Sequence, residues 1–484
     1  MKKLSFLHHT CAWSAWLLLL SALLAGNAGV QAQRILTLDS CLSMALANNK
    51  QLGAARIKQE MSKNLRKSAR TKYLPQVNMV GGYVFSSKEI SILSDEQKQH
   101  FSNLGSNMQQ YMNSIGASIG GLEAILNAGG AGIVDGFRTN TRHIFAGSVV
   151  ATMPLYMGGS ITALNRMADI GEDMAANSTE TVRQNTLYDT EQAYWTVVSL
   201  RNKQRLAESY LALVKKLNGD VQKMIAEGVA TRSEGLSVEV KQNEAEMTLL
   251  QVNDGLTLAK MMLCQLCGMP ADEDIRLEDE KSGSTTVSLP TDLNNGVESA
   301  AHIMRPELRM LENTIDLSRQ TTRMAKAGYL PKVTLMGSYS VTNPNVYNGF
   351  QREFAGIWNI GVLVCVPVLN WGDVAYKVRA SKNATAMAQM ELDDAREKVE
   401  LQVSQSTFKV NEAAKKLALA ETSCKRAEEN LRCANVGFRE GVMQSTTVME
   451  AQTAWLQAHS QKIDAEIEVM LSRSNLKKAK GILQ

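Results

Sequence analysis

Beyond residue 32, the sequence lacks any run of about 18 consecutive apolar residues, the length that a membrane-spanning helix needs. An excess of one charge is also lacking, because 52 lysines and arginines nearly balance 48 aspartates and glutamates. Proteins that bind nucleic acid carry concentrated basic surface, so we expect no nucleic acid partner. Aromatic residues make up only 5% of the chain, which suits long helices better than a compact all-β domain.

Motifs for catalysis, cofactor binding or metal binding are absent from the sequence. The histidines are scattered, and no HExxH, GxSxG or P-loop pattern occurs. We therefore expect neither an enzyme nor a cofactor or metal site. The cysteines do not form a disulfide framework. Cys264 and Cys267 make a CxxC pair at the C-terminal end of a predicted helix, where the helix dipole does not lower a thiol pKa, so two buried side chains are the simpler interpretation.

The N-terminal residues 1–32 resemble a secretory signal peptide. Lys2 and Lys3 precede the short apolar segment 13–24, and Val30-Gln31-Ala32 resembles a cleavage site. A retained N-terminal anchor is the alternative. A secreted chain without a later membrane helix is either soluble or part of a β-barrel, because only closed barrels otherwise satisfy the backbone in lipid.

The remainder of the sequence contains an internal duplication. Three short motifs recur in the same order: Y-L-P at 73–75 and 329–331, a proline followed five residues later by glycine at 154–159 and 367–372, and E-G-V at 227–229 and 440–442. We predict one repeat at 33–270 and another at 291–484, joined by a polar and acidic linker at 271–290. The first repeat is longer because of an insertion at 86–142.

Both repeats show the same order of elements. The predicted elements are helix 38–72, strands 74–85 and 143–155, and helices 161–226 and 233–266, then helix 294–328, strands 330–341 and 356–368, and helices 374–438 and 446–482. Each longest helix has about 65 residues and extends on the order of 100 Å. Such helices need lateral packing as coiled coils, so the breaks at Gly228 and Gly441 are predicted to be tips of helical hairpins.

The four predicted strands alternate in polarity over about ten residues, as in outer-membrane barrels. Open edges are not tolerated in lipid, so the strands must complete a barrel shared between copies. Three copies give twelve strands, whereas the eight strands of two copies leave no channel. The predicted fold class is therefore mainly α with transmembrane β: duplicated long helical hairpins, plus four strands per chain in a twelve-stranded trimeric barrel. An ordinary periplasmic β-sheet is the alternative.

This duplicated order of helix, Y-L-P strand, second strand, long helix, E-G-V tip and return helix resembles the TolC family of outer-membrane efflux proteins. The resemblance implies a homotrimer with its barrel in outer-membrane lipid and a periplasmic barrel of helices, acting in tripartite multidrug export. The implied partners are a periplasmic adaptor (membrane fusion) protein and an inner-membrane pump of the RND type, or an ABC exporter. Two alternatives stay open: the exit duct of a type I protein secretion system, and a periplasmic coiled-coil adaptor or structural protein.

The same resemblance implies that the two tips dock the adaptor. They comprise Gly228, Val229, Ala230, Thr231, Gly441, Val442, Met443 and Gln444. Glycine permits a tight turn and its apolar neighbours offer contact area, although a turn needs glycine with or without a partner. After the tips, Glu234 and Glu450 would each form a ring of three carboxylates that favours cations at the periplasmic entrance. A solvated helix surface is the alternative for both.

The sequence departs from the family where polar residues are proposed to lock the closed entrance. It has Phe438, Met443 and Thr447 where the best-known members have a tyrosine, an arginine and an acid. We therefore expect Phe438 and Met443 to close the entrance by apolar packing. The insertion 86–142 joins the first two strands and would lie at the outer mouth of the barrel. There it is expected to be a plain surface loop, with a lid or cap as the alternative.

Overall fold

The structure, a computed structural model, describes residues 34–89, 91–138, 141–280, 305–348 and 351–483. The predicted signal peptide lies outside these residues. The elements are β1 Arg34–Leu36, α1 Leu38–Asn48, α2 Lys50–Arg70, β2 Gln76–Phe85, α3 Asp95–Ser102, α4 Leu104–Ser114, α5 Leu122–Gly136, β3 His143–Met157, α6 Ser160–Ala226, α7 Arg232–Cys267, β4 Ile275–Leu277, α8 Pro306–Lys326, β5 Lys332–Asn343, β6 Ala355–Cys365, α9 Asp373–Arg439 and α10 Ser445–Ala479.

The predicted order of helices and strands is confirmed. The two long helices α6 and α9 have 67 residues each, which corresponds to about 100 Å at 1.5 Å per residue. In the described part of the chain, no helix has the length and apolar character needed to span a membrane. The first part of the second repeat's helix, 294–304, lies outside the described residues.

The predicted helix 38–72 is wrong in one respect, because it is divided at Asn49 into α1 and α2. The backbone of Asn49 is extended, and its side-chain Oδ1 accepts hydrogen bonds from the N–H groups of Gln51 at 2.9 Å and Leu52 at 3.1 Å. A capping asparagine satisfies the free donors at a helix start. Asn49 therefore begins a new helix within a segment whose composition is helical throughout.

The predicted linker 271–290 is wrong for its first half, since β4 lies within it and pairs in parallel with β1. Ile275 and Leu277 are buried in the core of the protein. The buried Glu280 carboxylate accepts a hydrogen bond from the Leu277 N–H at 3.2 Å and lies 3.6 Å from the Arg201 guanidinium. Glu280, one of the acidic residues that indicated a linker, therefore anchors a short strand. Residues 281–290 lie outside the described residues.

The insertion 86–142 is not a plain surface loop, because it forms α3, α4 and α5. A Cβ on Gly105 would lie 2.1 Å from the Glu123 carbonyl oxygen, and one on Gly130 would lie 1.7 Å from the Phe101 carbonyl oxygen. Only glycine permits these helix backbones to touch. The Asn127 side chain also accepts a hydrogen bond from the Gly105 N–H at 2.7 Å. Gly105 and Gly130 thus allow the three helices of the insertion to pack closely.

The chain divides into two compact units, each made of several segments. The helical unit comprises Met1–Glu60, Asp173–Glu312 and Met390–Gln484, and the sheet unit comprises Met61–Glu172 and Asn313–Gln389. Each unit contains segments of both predicted repeats, and the repeat boundaries themselves stay a prediction. Buried residues at heptad-like spacing hold the helical unit together; they include Val214, Val221, Val238, Val448 and Val469. Such spacing is typical of helices packed side by side.

Candidate functional site: a two-faced sheet and two helical turns

The sheet unit contains a four-stranded antiparallel sheet in the order β2-β3-β5-β6. One row of the register runs through Met79, Val149, Tyr339 and Trp358, one residue from each strand. Successive side chains of a strand point to opposite faces, so this row and every second row beyond it share one face. The register therefore assigns each side chain of the sheet to one of two faces.

One face, which we call the apolar face, carries large apolar side chains along all four strands. They are Val77, Met79, Tyr83, Phe85, Phe145, Val149, Met153, Leu335, Tyr339, Val341, Trp358, Ile360, Val362 and Val364. Many are exposed, with Met79 at 82% and Trp358 at 73%. Water-soluble proteins rarely expose a continuous apolar surface of this kind, so the face indicates contact with lipid or protein.

The opposite face, which we call the polar face, carries hydroxyl and amide side chains among apolar ones, which include Met336, Ile357 and Leu363. The polar members are Gln76, Asn78, Ser148, Thr152, Thr334, Ser338, Ser340, Thr342 and Asn359. Ser148 and Ser340 are hydrogen bonded across the strands at 3.0 Å. Lys332, at the start of β5, is the only lysine, arginine, aspartate or glutamate in the four strands. The polar face is therefore almost free of formal charge.

Aromatic rings cluster where β2 ends and β3 begins. The ring centroids of Tyr83 and Phe145 are 4.8 Å apart, and those of Phe85 and His143 are 5.1 Å apart. The Tyr83 hydroxyl also lies 2.7 Å from His143 Nδ1. Outer-membrane strands carry such aromatic residues where lipid tails meet head groups. The cluster fits one boundary of a membrane-facing band.

The two glycine turns have matching backbone geometry. Gly228 has φ +73° and Gly441 has φ +74°, a left-handed conformation that favours glycine. The N–H of Val229 donates to the Met224 carbonyl at 2.8 Å in the first turn, and the N–H of Val442 donates to the Gly437 carbonyl at 2.9 Å in the second. Each turn thus closes a long helix and starts its return helix, as the sequence predicts.

Each turn exposes an apolar residue directly after its glycine. Val229 is 71% exposed and Val442 is 77% exposed. Ala230 is half-buried, Gln444 begins α10 without a side-chain cap, and Thr231 caps α7. The valines are thus free to contact a partner, whereas Thr231 also stabilises the helix that follows it.

Glu234 has a structural role that the sequence analysis missed. Its carboxylate accepts a hydrogen bond from the Thr231 N–H at 2.8 Å, while the Glu234 N–H donates to Thr231 Oγ1 at 3.2 Å. This reciprocal pair is a capping box, and the spacing T-x-x-E is its sequence signal. The carboxylate is turned back toward the turn, which weakens the case for Glu234 in an acidic ring.

Glu450 lies exposed on α10, where it lines a groove of about 560 Å³. Ser237 and Lys241 of α7 line the same groove. The structure thus leaves the Glu450 side chain open to solvent. Its place in a ring of carboxylates stays a prediction, because such a ring requires neighbouring copies.

Phe438 and Met443 contact different parts of the helical unit. A Cβ on Gly437 would lie 2.9 Å from Met443 Sδ, so Met443 covers a glycine of its own turn. Phe438 packs against an apolar cluster that includes Val221 and Val448. Thr447 is exposed on the first turn of α10. Apolar closure of the entrance by Phe438 and Met443 stays a prediction, and Gly437 is a further residue of this region that the sequence analysis missed.

The CxxC cysteines are buried, and burial raises the pKa of Cys264 to about 11. Cys267 differs from Cys264, because its pKa is lowered. A hydrogen bond with Cys41 lowers the pKa of Cys267 and raises that of Cys41. The cause is therefore a residue far away in the sequence rather than the helix dipole.

Long helical hairpins combined with a two-faced antiparallel sheet are the features of a TolC-like outer-membrane channel fold. The chain belongs to the outer membrane efflux protein family, whose sequence profile matches residues 41–269 and 298–481. The family assignment confirms the predicted localisation in the outer membrane. Members of this family are channels rather than enzymes.

Individual relatives are distant in sequence. Nodulation protein T of Rhizobium leguminosarum bv. trifolii is 23% identical over 46% of each chain, and the alkaline protease secretion protein AprF of Pseudomonas aeruginosa is 20% identical over 54% of each chain. The chain thus spans about half the length of these curated relatives. The CmeC outer membrane channel of Campylobacter jejuni superimposes with a TM-score of 0.73 at 14% identity, covering 92% of this chain and 85% of that one. This likeness confirms the predicted fold of long helical hairpins combined with a four-stranded sheet, and the closure of a trimeric barrel stays a prediction.

Proposed function

We propose that the protein is the outer-membrane channel of a tripartite efflux system and passively conducts substrates to the exterior. The observation that carries this proposal is the two-faced sheet. Its exposed apolar face fits lipid, and its polar face fits a water-filled lumen, which is the division found in transmembrane barrels. In an ordinary periplasmic sheet, Met79 and Trp358 would be exposed to water, which is unfavourable for large apolar side chains.

The open edges of the sheet support a homotrimer. In the described residues, β2 and β6 each pair on one side only. Unpaired backbone groups are too costly in lipid, so β6 of one copy would pair with β2 of the next. Three copies then close a twelve-stranded barrel with room for a lumen. Because the polar face is nearly free of formal charge, this part of the lumen would select little by charge.

The outer surface of α7 gives separate support for association between copies. Exposed apolar residues recur along it at spacings of three, four, seven and eight, and they are Leu236, Val240, Met247, Leu250 and Leu258. This stripe follows a heptad pattern, which is typical of a helix that packs along another helix. In a trimer, a helix of the neighbouring copy would pack along the whole stripe.

The two glycine turns fit the docking of a periplasmic adaptor. Val229 and Val442 expose apolar side chains, and the two turns match in geometry. Docking at two matched turns per copy would give six contacts around a trimer. The adaptor would in turn connect the channel to an inner-membrane pump of the RND type or to an ABC exporter.

The second candidate is the exit duct of a type I protein secretion system. One observation favours it, because the relative AprF is described as an alkaline protease secretion protein. Both functions require the same channel, and the pump determines which substrate enters it. A periplasmic adaptor or structural protein, the alternative of another class, has no support from the family assignment.

Deletion of the gene in its own host separates these functions. For an efflux channel we expect greater sensitivity to toxic compounds and higher intracellular accumulation of a fluorescent dye, both reversed by the intact gene. For a secretion duct we expect a secreted protein to disappear from the medium while dye accumulation is unchanged. If the deletion mutant shows neither effect and the protein of the wild-type strain is recovered outside the outer-membrane fraction, both functions are ruled out.

Glu450→Gln is expected to reduce the cation preference of the channel. The substitution removes three negative charges from the trimer at a narrow entrance, where charged rings set ion selectivity. In planar bilayers under a salt gradient, the reversal potential should move toward zero. Glu234→Gln is the matched control. The Glu234 side chain is turned back toward Thr231, and a glutamine can keep the same capping box. If the control produces the larger shift, the ring lies at Glu234 and not at Glu450.

A further inference from the structure

Three cysteines from distant parts of the sequence meet in the core of the helical unit. Cys41 lies on α1, and Cys264 and Cys267 lie in the last turn of α7, all with 0% exposure. The Cys267 thiol donates to the Cys41 carbonyl oxygen with Sγ 3.6 Å from that oxygen. Cys41 and Cys267 are therefore within contact distance although 226 positions separate them.

Contacts of the Asn48 side chain hold α1 and the end of α7 together independently of the thiols. The Asn48 side-chain amide donates to the Cys267 carbonyl at 3.2 Å. Gly268 has φ +73°, and a Cβ at that position would lie 2.5 Å from Asn48 Cβ. A larger residue than glycine would push the two helix ends apart. The approach of Cys41 to Cys267 is thus built into the fold.

We propose that Cys41 and Cys267 form a disulfide bond in the exported protein, which links α1 covalently to the end of α7. The helical unit of an outer-membrane protein matures in the bacterial periplasm, an oxidising compartment in which adjacent thiols are oxidised. The linkage goes beyond the channel function and does not depend on it. It requires only export and the contact that the structure shows.

The oxidant is a periplasmic oxidoreductase that carries a disulfide of its own. The Cys267 thiolate attacks that disulfide, forms a mixed disulfide and releases one sulfur of the oxidant as a thiolate. The Cys41 thiol then loses its proton, and its sulfur attacks Cys267 Sγ and releases the second sulfur of the oxidant. Two thiols thereby lose two protons and two electrons, and the oxidant becomes a dithiol. Because both cysteines are buried in the folded protein, this exchange takes place before the core closes.

Cys264 is the competing partner for a disulfide with Cys267, and helix geometry disfavours that bond. Cβ atoms three residues apart on a helix are about 5–6 Å apart, whereas a disulfide needs about 3.8 Å between them. A bond from Cys264 to Cys267 would therefore unwind the last turn of α7. The Cys264 thiol instead points to the Glu273 carbonyl, with Sγ 3.9 Å from its oxygen. Cys264 thus stays a thiol and provides an internal control.

A metal site is the other use for three clustered sulfurs, and the geometry does not support it. Among the described residues, no group of three or more histidines, cysteines, aspartates or glutamates is placed to hold a metal ion. A disulfide between Cys41 and Cys267 would instead close a loop that contains β2, β3, the helical insertion and the first glycine turn. Long loops gain most from such a link, because it restricts the unfolded chain.

Peptide mapping of the wild-type protein tests the proposal without any substitution. Protein purified from the outer membrane is denatured in an excess of N-ethylmaleimide without reductant, digested and analysed by mass spectrometry. We expect a linked peptide pair containing Cys41 and Cys267, with both cysteines labelled only after reduction. Cys264 and Cys424, a buried cysteine of α9, should be labelled without reduction. Labelling of Cys41 and Cys267 in unreduced protein, or a linked pair of Cys264 and Cys267, would overturn the proposal.

Variants give the second measurement. Cys264→Ser should keep the linked pair and keep a melting temperature that falls when reductant is added. Cys41→Ser should release Cys267 for labelling and remove the effect of reductant on the melting temperature. If Cys41→Ser does not accumulate, the comparison of wild type with Cys264→Ser, with and without reductant, still decides the matter. A melting temperature of wild type that reductant leaves unchanged counts against the disulfide.

Discussion

Ile360→Arg is expected to prevent the assembly of the protein in the outer membrane. Ile360 lies on the apolar face of β6, 69% exposed, in a row with Val77 of β2. An arginine on the lipid face of a barrel costs about 2–4 kcal/mol near the bilayer midplane. The trimer repeats this cost in each of its copies. We expect the heat-modifiable oligomer to disappear from the outer-membrane fraction and unassembled chain to accumulate in the periplasm.

Asn359→Arg is the matched control for this prediction. Asn359 precedes Ile360 on the same strand and points to the polar face, where it pairs with Ser338 in a row that also contains Asn78. An arginine there would lie in water, so we expect normal assembly and a changed single-channel conductance. Equal assembly of the two variants, or a defect in Asn359→Arg alone, would show that the faces have been assigned to the wrong environments.

The sequence predicts the sheet well because strand periodicity carries the information. Alternation with period two is sufficient to place Val77, Met79 and Tyr83 on one face. The pairing of β3 with β5 is harder to predict, because its register shifts between Pro154 and Tyr156. A bulge of this kind depends on long-range pairing and leaves no clear pattern along the chain.

The predictions that were wrong share a physical cause. Asn49, β4 and the helical insertion depend on one capping side chain, on a parallel pairing partner far away in sequence, and on backbone contacts at single glycines. Average composition over ten or more residues does not detect features of that size. The helix–helix contact at Gly130 is an example, since four small residues in a row, 129–132, indicate a loop as readily as a close crossing.

The candidate site was predictable to different degrees. Glycine at a helix end indicates a left-handed turn, so Gly228 and Gly441 could be placed from sequence alone. The capping box of Glu234 also had a sequence signal, in the spacing from Thr231. The approach of Cys41 to Cys267 had none, because tertiary packing alone brings together residues so far apart.

Replacement of both exposed valines of the glycine turns by aspartate is expected to abolish export while leaving the channel assembled. Val229 and Val442 are exposed at turns whose hydrogen bonds are formed by the backbone, so Val229→Asp with Val442→Asp should not disturb the fold. Full burial of a valine against a partner contributes about 1.5–3 kcal/mol. A charge in the same place must also lose its hydration, which adds to the loss.

The measurement compares export with assembly in the same cells. We expect dye accumulation equal to that of the deletion mutant, together with a normal amount of heat-modifiable trimer in the outer membrane. Val229→Thr with Val442→Thr is the matched control, since threonine keeps the size and shape of valine and carries no charge. It should keep most of the export activity. Because six valines surround the trimer, each single aspartate variant should lose less activity than the double variant. Unchanged export by the double aspartate variant would mean that the adaptor binds elsewhere on the helical unit.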